Sequence, residues 1–152
     1  MTILEFAKPA CPRTSHFQAT VRAVNAPRKT ALVVEDDPEI RNLITIYLQR
    51  LDFEVSTASN GRLAITKLTE TRPTLLCIDQ MLPESSGYDV CEHVVKSPAL
   101  AGLPILMVSA RGMPGDRATA EELGVRQYLV KPFTQTQFVE HVRLTLEGAP
   151  LT

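Results

Sequence analysis

Four short apolar runs of the sequence each lead into side chains that could do chemistry. In chain order these side chains are Glu35 with Asp36, Asp79, Ser109 and Lys131. Carboxylates that lie close together raise each other's pKa unless a cation neutralises them. Ligands that are all oxygen, without His or Cys, suit Mg²⁺, with Mn²⁺ as a possible substitute. A carboxylate beside such a cation, a lysine and a hydroxyl can accept a phosphoryl group, so Asp79 is the predicted nucleophile.

Each of these signals is weak when it is taken alone. A single Asp at a strand end more often begins a turn, and Asp79 lies shortly before Pro83. The acidic turn after the first run can equally be a helix N-cap with favourable charge, and a lone Lys131 would usually be a solvated loop residue. Only the coincidence of four strand ends favours a shared site.

The elements that position these residues are predicted from apolar periodicity. Strands are predicted at 31–34, 53–57, 74–78, 104–109 and 126–130. Helical spacing follows each strand, and the first helix is predicted to begin with Asp37 as its N-cap and Pro38 at its first position. The fourth helix is predicted over 117–123, and the last is predicted to bury Phe138, Val142 and Leu146.

Five strands that alternate with five helices through short loops predict an α/β fold. We expect a doubly wound, flavodoxin-like, five-stranded parallel sheet in the order 2-1-3-4-5, with helices on both faces. In that order the first, third, fourth and fifth strands are neighbours. Because ligands of such sheets bind outside the carboxyl ends of the strands, the chemically active side chains should share one crevice.

Composition is that of one ordinary globular domain, with 152 residues, 44% apolar and 22% charged. The net charge of −1 combines +4 in residues 1–29 with −5 in the remainder. We therefore divide the chain into a basic, flexible extension at 1–28, the domain at 29–148 and a tail at 149–152. The charge contrast is too weak to predict nucleic-acid binding.

Cysteine usage and hydropathy indicate a cytoplasmic protein without a membrane partner. Cys11, Cys77 and Cys91 are odd in number and lack metal-ligand spacing, so they are predicted to be reduced thiols. No apolar stretch approaches the length of a membrane helix, and charged residues and prolines interrupt the N-terminus where a signal peptide would need an apolar run.

Four segments match the motifs of a known family in order and spacing. They are Val33-Val34-Glu35-Asp36-Asp37-Pro38, Asp79-Gln80-Met81-Leu82-Pro83 with Gly87, Leu106-Met107-Val108-Ser109-Ala110 and Tyr128-Leu129-Val130-Lys131-Pro132-Phe133. Through them the chain, from residue 30 to about residue 147, resembles the response regulator receiver domain of two-component signalling. The segments jointly cover the whole domain, so the resemblance is specific.

The resemblance implies a phosphoryl acceptor and a metal site. Asp79 would take the phosphoryl group from a phosphohistidine on a partner histidine kinase. Asp36 and Asp79 would bind Mg²⁺ directly together with the backbone carbonyl of Met81, and Glu35 would act through water. Glu35 stands at a position where the family tolerates Glu for Asp.

The resemblance also implies a switch. Lys131 would pair with the acyl phosphate, Ser109, a tolerated variant of Thr, would swing toward the phosphoryl oxygens, and Tyr128 would rotate inward. These changes would alter the surface of the fourth helix, fifth strand and fifth helix. Gly87 and Pro132 are structural members of the motifs, and the Lys-Pro bond before Pro132 is expected to be cis.

Six positions bear on the lifetime or the output of the phosphorylated state. Met81 and Arg111 flank the phosphoryl site, where an apolar side chain suggests slow autodephosphorylation. The transcription-factor branch of the family dimerises through salt bridges, and the positions that form them here hold Arg126, Gln127, Gln137 and His141. We therefore do not expect that dimer, and we expect a monomer or weak dimer. No DNA-binding domain is expected after the last helix, since only residues 148–152 remain.

Several functions remain open at this point. A stand-alone receiver would recruit a downstream protein or pass its phosphoryl group to a histidine phosphotransfer protein. The chain could also be the receiver portion of a larger regulator, or a regulator whose basic extension is its partner-binding element. An aspartyl-phosphate phosphatase is disfavoured, because no Asp-x-Asp motif or cap insertion is present, and a dinucleotide binder is disfavoured by the acidic first turn. We therefore expect a signalling domain and not an enzyme.

Overall fold

The computed structural model describes residues 27–151, so most of the predicted basic extension lies outside the described part of the chain. The described strands are β1 (Thr30–Val34), β2 (Glu54–Ala58), β3 (Leu75–Ile78), β4 (Ile105–Ser109) and β5 (Gln127–Val130). The described α-helices are α1 (Pro38–Arg50), α2 (Gly61–Glu70), α3 (Gly87–Lys96), α4 (Pro114–Glu122) and α5 (Gln135–Glu147), with a 3₁₀ turn at Pro98–Leu100.

The five strands form one parallel sheet in the order β2-β1-β3-β4-β5. The central strands β3 and β4 are buried throughout, because each has a neighbour on both sides and helices on both faces. The edge strand β2 alternates between exposed and more buried positions. The predicted α/β class and the doubly wound order 2-1-3-4-5 are confirmed.

Successive residues of each strand point into two separate cores, as the alternation of a pleated strand requires. Leu32 and Val34 of β1 pack with apolar residues of α2, α3 and α4. Ala31 and Val33 pack on the opposite side with residues of α1 and α5. Burying both faces of the sheet holds the carboxyl ends of the strands in fixed positions relative to one another.

The start of α1 follows the prediction. The Oδ1 atom of Asp37 accepts hydrogen bonds from the backbone N–H groups of Glu39 at 2.8 Å and Ile40 at 3.2 Å, and Pro38 occupies the first helical position. The cap satisfies N–H groups that have no partner within the helix. It therefore orders the acidic turn that joins β1 to α1.

Two helical predictions were wrong in detail. Helix α4 begins at Pro114 and not at residue 117, because Pro is tolerated in a first turn and the Asp116 carboxylate accepts from the Met113 N–H at 3.3 Å. Helix α5 buries Thr145, whereas Leu146 is 41% exposed. The Thr145 hydroxyl donates to the carbonyl of His141 at 2.6 Å, which removes the cost of burying it.

Two of the three cysteines lie in the described part of the chain. Cys77 and Cys91 are buried free thiols, and burial raises the pKa of each to about 12. Cys11 lies outside the described residues. Between residues 27 and 151, no helix combines the length and the apolar character needed to cross a bilayer.

Candidate functional site

Backbone pairing brings the ends of four strands to one edge of the sheet. The N–H of Asp79 donates to the carbonyl of Val34 at 3.0 Å, which sets the end of β3 beside the end of β1. The N–H of Lys131 donates to the carbonyl of Ser109 at 2.8 Å, which sets the end of β5 beside the end of β4. The side chains selected from the sequence therefore emerge at a common edge.

Three carboxylates converge at this edge. One carboxylate oxygen from each of Glu35, Asp36 and Asp79 lies within 4.8 Å of the other two. Glu35 and Asp79 are buried, whereas Asp36 is exposed. Such a donor set, all oxygen and open to solvent on one side, fits a hard divalent cation that retains water ligands.

Lys131 joins two of these carboxylates. Its Nζ atom lies 2.7 Å from Oε2 of Glu35 and 2.8 Å from Oδ2 of Asp79, and its side chain is 14% exposed. Burial opposes the positive charge, but the hydrogen bonds and charges of the two carboxylates outweigh it, and the pKa of Lys131 is raised. We call Glu35, Asp36, Asp79 and Lys131 the charged cluster.

One ammonium group does not neutralise three carboxylates, and the pKa of Glu35 is raised. Burial is the main cause that raises it, to about 7, and the charge of Asp79 adds to the rise while Lys131 opposes it. A bound divalent cation would supply the missing positive charge. The composition of the charged cluster therefore fits the Mg²⁺ that the sequence implied.

The loop between β3 and α3 is held against Asp79. The N–H of Met81 donates to Oδ1 of Asp79 at 3.0 Å, and the N–H of Gly87 donates to the carbonyl of Gln80 at 2.7 Å. A Cβ atom at Gly87 would overlap the carbonyl oxygen of Asp79. Glycine is therefore required for α3 to begin this close to the strand end.

Ser109 and Tyr128 lie beside the charged cluster in a network of hydrogen bonds. Ser109 is fully buried, and its hydroxyl accepts from the Arg111 N–H at 3.2 Å. The Tyr128 ring is buried, and its hydroxyl lies 2.7 Å from Oε1 of Gln80 and 2.8 Å from the carbonyl of Arg111. The Tyr128 side chain is thus buried in this structure, and its rotation on phosphorylation stays a prediction.

Sequence reasoning missed three residues that shape this edge. Gln80 bonds to Tyr128 and, through Nε2, to Oδ1 of Asp116 at 3.2 Å. Arg41 donates to the carbonyl of Glu35 at 2.8 Å. The position of Gln80, a polar residue at the end of a buried apolar run, could have indicated its role. The sequence around Asp116 and Arg41 is that of ordinary charged positions on helices. We call Gln80, Ser109, Asp116, Tyr128 and the Arg111 backbone the polar network.

The remaining predicted positions have structural partners. The peptide bond between Lys131 and Pro132 is cis. The side chains of Arg126 and Gln127 donate to backbone carbonyls within this chain, those of Thr145 and Gly102 for Arg126 and those of Ala149 and Pro150 for Gln127. These bonds lie within one chain, and the predicted monomer or weak dimer stays a prediction.

The chain is similar in sequence to part of several curated regulatory proteins. The transcriptional regulatory protein GltR of Pseudomonas aeruginosa is 34% identical over 129 residues, which cover 85% of this chain and 53% of GltR. The transcriptional regulatory protein ResD of Bacillus subtilis is 36% identical over 121 residues, covering 80% of this chain and 49% of ResD. The chain thus spans about half the length of these relatives.

Solved structures and family comparison agree with the geometry. The chemotaxis response regulator CheY4 of Vibrio cholerae has a TM-score of 0.75 and 27% sequence identity, over 79% of this chain and 100% of CheY4. Residues 31–143 match the family described as response regulator receiver domain, a span that includes all four strand ends. Domains of this kind serve signalling and are not enzymes in the usual sense. The protein therefore belongs to the response regulator receiver domain family of two-component systems.

Proposed function

We propose that Asp79 accepts a phosphoryl group from a phosphohistidine on a partner histidine kinase. A carboxylate oxygen of Asp79 forms a bond to phosphorus while the bond between phosphorus and the imidazole nitrogen breaks. The imidazole leaves with the bonding electron pair, and Asp79 becomes an acyl phosphate. The observation that carries this proposal is the Lys131 ammonium, held 2.8 Å from Asp79 among three carboxylates at one strand edge.

The charged cluster would hold the cation that the transfer needs. Asp36 and Asp79 would bind Mg²⁺, or Mn²⁺ in its place, together with the backbone carbonyl of Met81, while Glu35 would act through water. When bound, the cation would neutralise charge on the phosphoryl oxygens. The closeness of the three carboxylate oxygens, within 4.8 Å, supports this assignment.

Lys131 and Ser109 would stabilise the product. Lys131 already contacts the Asp79 carboxylate, so a small movement away from Glu35 would bring its ammonium to a phosphoryl oxygen. The Ser109 hydroxyl would turn toward another phosphoryl oxygen. Tyr128 bonds to neighbours of Ser109, so its contacts would change when Ser109 turns, and the surface of α4, β5 and α5 would change with them.

An apolar hollow beside Lys131 suits the phosphodonor. A cavity of about 420 Å³ is lined by Ala110, Lys131 and the apolar side chains of Ile40, Leu43, Pro132 and Phe133. Because the hollow shares Lys131 with the charged cluster, a helix docked there would hold its phosphohistidine next to Asp79. We assign this surface to the kinase segment that carries the phosphohistidine.

The output of the phosphorylated domain has more than one candidate. A downstream protein could bind the face of α4, β5 and α5, or a histidine phosphotransfer protein could take the phosphoryl group onward. The curated relatives are about twice as long and are named as transcriptional or DNA-binding regulators, which supports a role as the receiver portion of a larger regulator. The basic residues at 1–28 are a candidate partner-binding element.

Incubation with acetyl phosphate and Mg²⁺ tests the proposed acceptor. We expect the intact mass to increase by one phosphoryl group in the wild type and Asp89→Asn, and not in Asp79→Asn. Asp89 is a matched control, because it is an exposed carboxylate that caps α3. Repeated turnover of a small phosphorylated substrate would instead indicate a phosphatase-type enzyme, and labelling of Asp79→Asn would overturn the assignment of the acceptor.

A further inference from the structure

Gln80 is a buried amide that contacts both predicted switch residues and α4. It follows Asp79 directly and is 6% exposed. Its Oε1 atom lies 2.7 Å from the hydroxyl of Tyr128 and 3.4 Å from that of Ser109. Its Nε2 atom donates to Oδ1 of Asp116 at 3.2 Å. One side chain therefore connects three elements, β4, β5 and α4, at the strand end that carries the acceptor.

The chemistry of its neighbours sets the orientation of the amide. With Oε1 toward the two hydroxyl groups and Nε2 toward Asp116, every contact joins a donor to an acceptor. The flipped amide would set its oxygen against the Asp116 carboxylate and leave its NH₂ group facing the hydroxyls. Gln80 Oε1 is therefore the acceptor that Ser109 and Tyr128 share.

The two hydroxyl groups compete unequally for this acceptor. Each has one proton to donate. The proton of Tyr128 has two carbonyl acceptors at nearly equal distance, Gln80 Oε1 at 2.7 Å and the Arg111 carbonyl at 2.8 Å, and its hydroxyl also neighbours that of Ser109. The Ser109 contact of 3.4 Å is long for an O–H···O bond, so Ser109 is held weakly and is the residue that can leave.

Asp116 connects this network to the first turn of α4. Its Oδ2 atom accepts from the Met113 N–H at 3.3 Å, and its backbone carbonyl accepts from the Tyr88 hydroxyl at 2.9 Å. Asp116 lies in the first turn of α4. The amide of Gln80 thus holds the start of the helix whose surface is proposed to change.

We propose that Gln80 is a positioning residue that couples Ser109 to Tyr128 and α4, an inference that rests on the proposed function. When Asp79 carries a phosphoryl group, Ser109 donates to a phosphoryl oxygen and leaves Gln80. Tyr128 is then the hydroxyl donor that remains for Gln80 Oε1, and its proton moves from the Arg111 carbonyl toward the amide. The carbonyl of Arg111 loses its donor, and the loop that leads into α4 is released.

Fluorine NMR can measure this coupling without covalent turnover. The protein has three tyrosines, so 3-fluorotyrosine gives three resonances that single Tyr→Phe variants assign. Mg²⁺ and beryllofluoride, a phosphoryl mimic, are added to the wild type and to Gln80→Leu. We expect the induced change at the Tyr128 resonance to be about fivefold smaller in Gln80→Leu, the size of a modest coupling between sites. The signal of bound beryllofluoride, seen in the same spectrum, should persist in both.

Gln127→Leu is the matched control. Gln127 is also a buried glutamine, but its Nε2 atom donates to the carbonyls of Ala149 and Pro150 and not to the polar network. We expect this variant to retain the wild-type change at Tyr128 even if its stability falls. If Gln80→Leu does not fold, Gln80→Met, which keeps the length of the side chain, takes its place.

The outcomes separate the coupling from the proposed function. A wild-type change at Tyr128 in Gln80→Leu with beryllofluoride bound would overturn the coupling and leave the acceptor role of Asp79 intact. If the change at the Tyr128 resonance were equally small in Gln127→Leu, the role of Gln80 would be purely structural, and the coupling would be overturned too. Failure of the wild type to bind beryllofluoride would overturn the proposed function itself.

Discussion

At the carboxyl edge of the sheet, the charged cluster around Lys131 lies beside the polar network around Gln80. In the charged cluster, two buried carboxylates are bridged by one ammonium at 2.7 and 2.8 Å, and charge remains in excess. In the polar network, neutral hydroxyl and amide groups share acceptors. We expect cation binding and pH to affect the charged cluster. We expect the polar network to change when one of its hydrogen-bond donors changes acceptor.

This difference suggests that the charged cluster and the polar network have different roles within one site. Strong, long-range electrostatics suit the binding of a metal and a phosphoryl group. Hydrogen bonds of near-equal length suit a switch, since a small change in one donor can redirect the others. Variants in the two regions should therefore differ in how they depend on pH and Mg²⁺.

The largest effect is expected for Lys131→Met. Removing the ammonium leaves Glu35 and Asp79 buried without their counter-charge, so the free energy of unfolding of the metal-free protein at pH 8 should fall by about 3 kcal/mol. The loss should be smaller at pH 6, where Glu35 can hold a proton, and smaller again with Mg²⁺ present. Urea titrations at both pH values measure it.

Lys96→Met is the control for this comparison. Lys96 pairs with Glu92 at 2.7 Å on the surface of α3, with 71% of its side chain exposed. Its loss should cost less than about 0.5 kcal/mol at either pH. Equal losses for the two lysine variants would show that the buried ion pairs do not govern the charged cluster.

A smaller effect of opposite sign is expected for Glu35→Gln. The pKa of Glu35 is about 7 in the folded protein, above its ordinary value of 4.5, so the folded state binds the proton more tightly than the unfolded state. Glu35 therefore contributes stability below about pH 4.5 that is lost as the pH rises through about 7. Replacing it should raise the stability of the metal-free protein at pH 8 by about 2 kcal/mol and flatten that pH dependence.

The measurement is the free energy of unfolding in EDTA between pH 4.5 and 8. Glu92→Gln, which removes an exposed carboxylate on α3, serves as the reference variant. A Glu35→Gln protein whose stability keeps the wild-type dependence on pH over this range would contradict the assignment of the titration to Glu35.

The smallest effect is expected for Tyr128→Phe in the polar network. The variant loses the hydroxyl that donates to Gln80 and the Arg111 carbonyl, and we expect a loss of about 1 kcal/mol. Because the groups that lose their partner are neutral, this loss should be the same at pH 6 and pH 8, with or without Mg²⁺. Asp79 should still accept a phosphoryl group from acetyl phosphate.

Tyr47→Phe is a suitable comparison, since the Tyr47 ring packs against Phe138 on the other face of the sheet. A Tyr128→Phe loss that changed strongly with pH or Mg²⁺ would remove the distinction between the two regions. Such a result would show that the polar network and the charged cluster act as one electrostatic unit.

Several features of the fold could be predicted because they depend on local patterns. The apolar run 75–78, bounded by Pro73 and Pro83, indicated a strand buried on both faces, and Asp37 followed by Pro38 indicated a helix start. The burial of Thr145 in place of Leu146 could not be predicted, because it depends on a hydrogen bond to His141 and on the direction in which α5 meets the sheet.

For the site, the sequence alone was sufficient to identify the charged residues and to bring them to one edge. Glu35, Asp79 and Lys131 each follow a strand, and parallel strands with right-handed connections must end on the same side. Tertiary structure alone decided which hydrogen-bond partners the polar side chains around them have. Gln80, Ser109, Tyr128 and Asp116 come from four segments, and the acceptor that each hydroxyl reaches depends on distances of a few tenths of an ångström. Backbone topology is encoded by local periodicity, whereas hydrogen-bond partners are selected only once the side chains are packed.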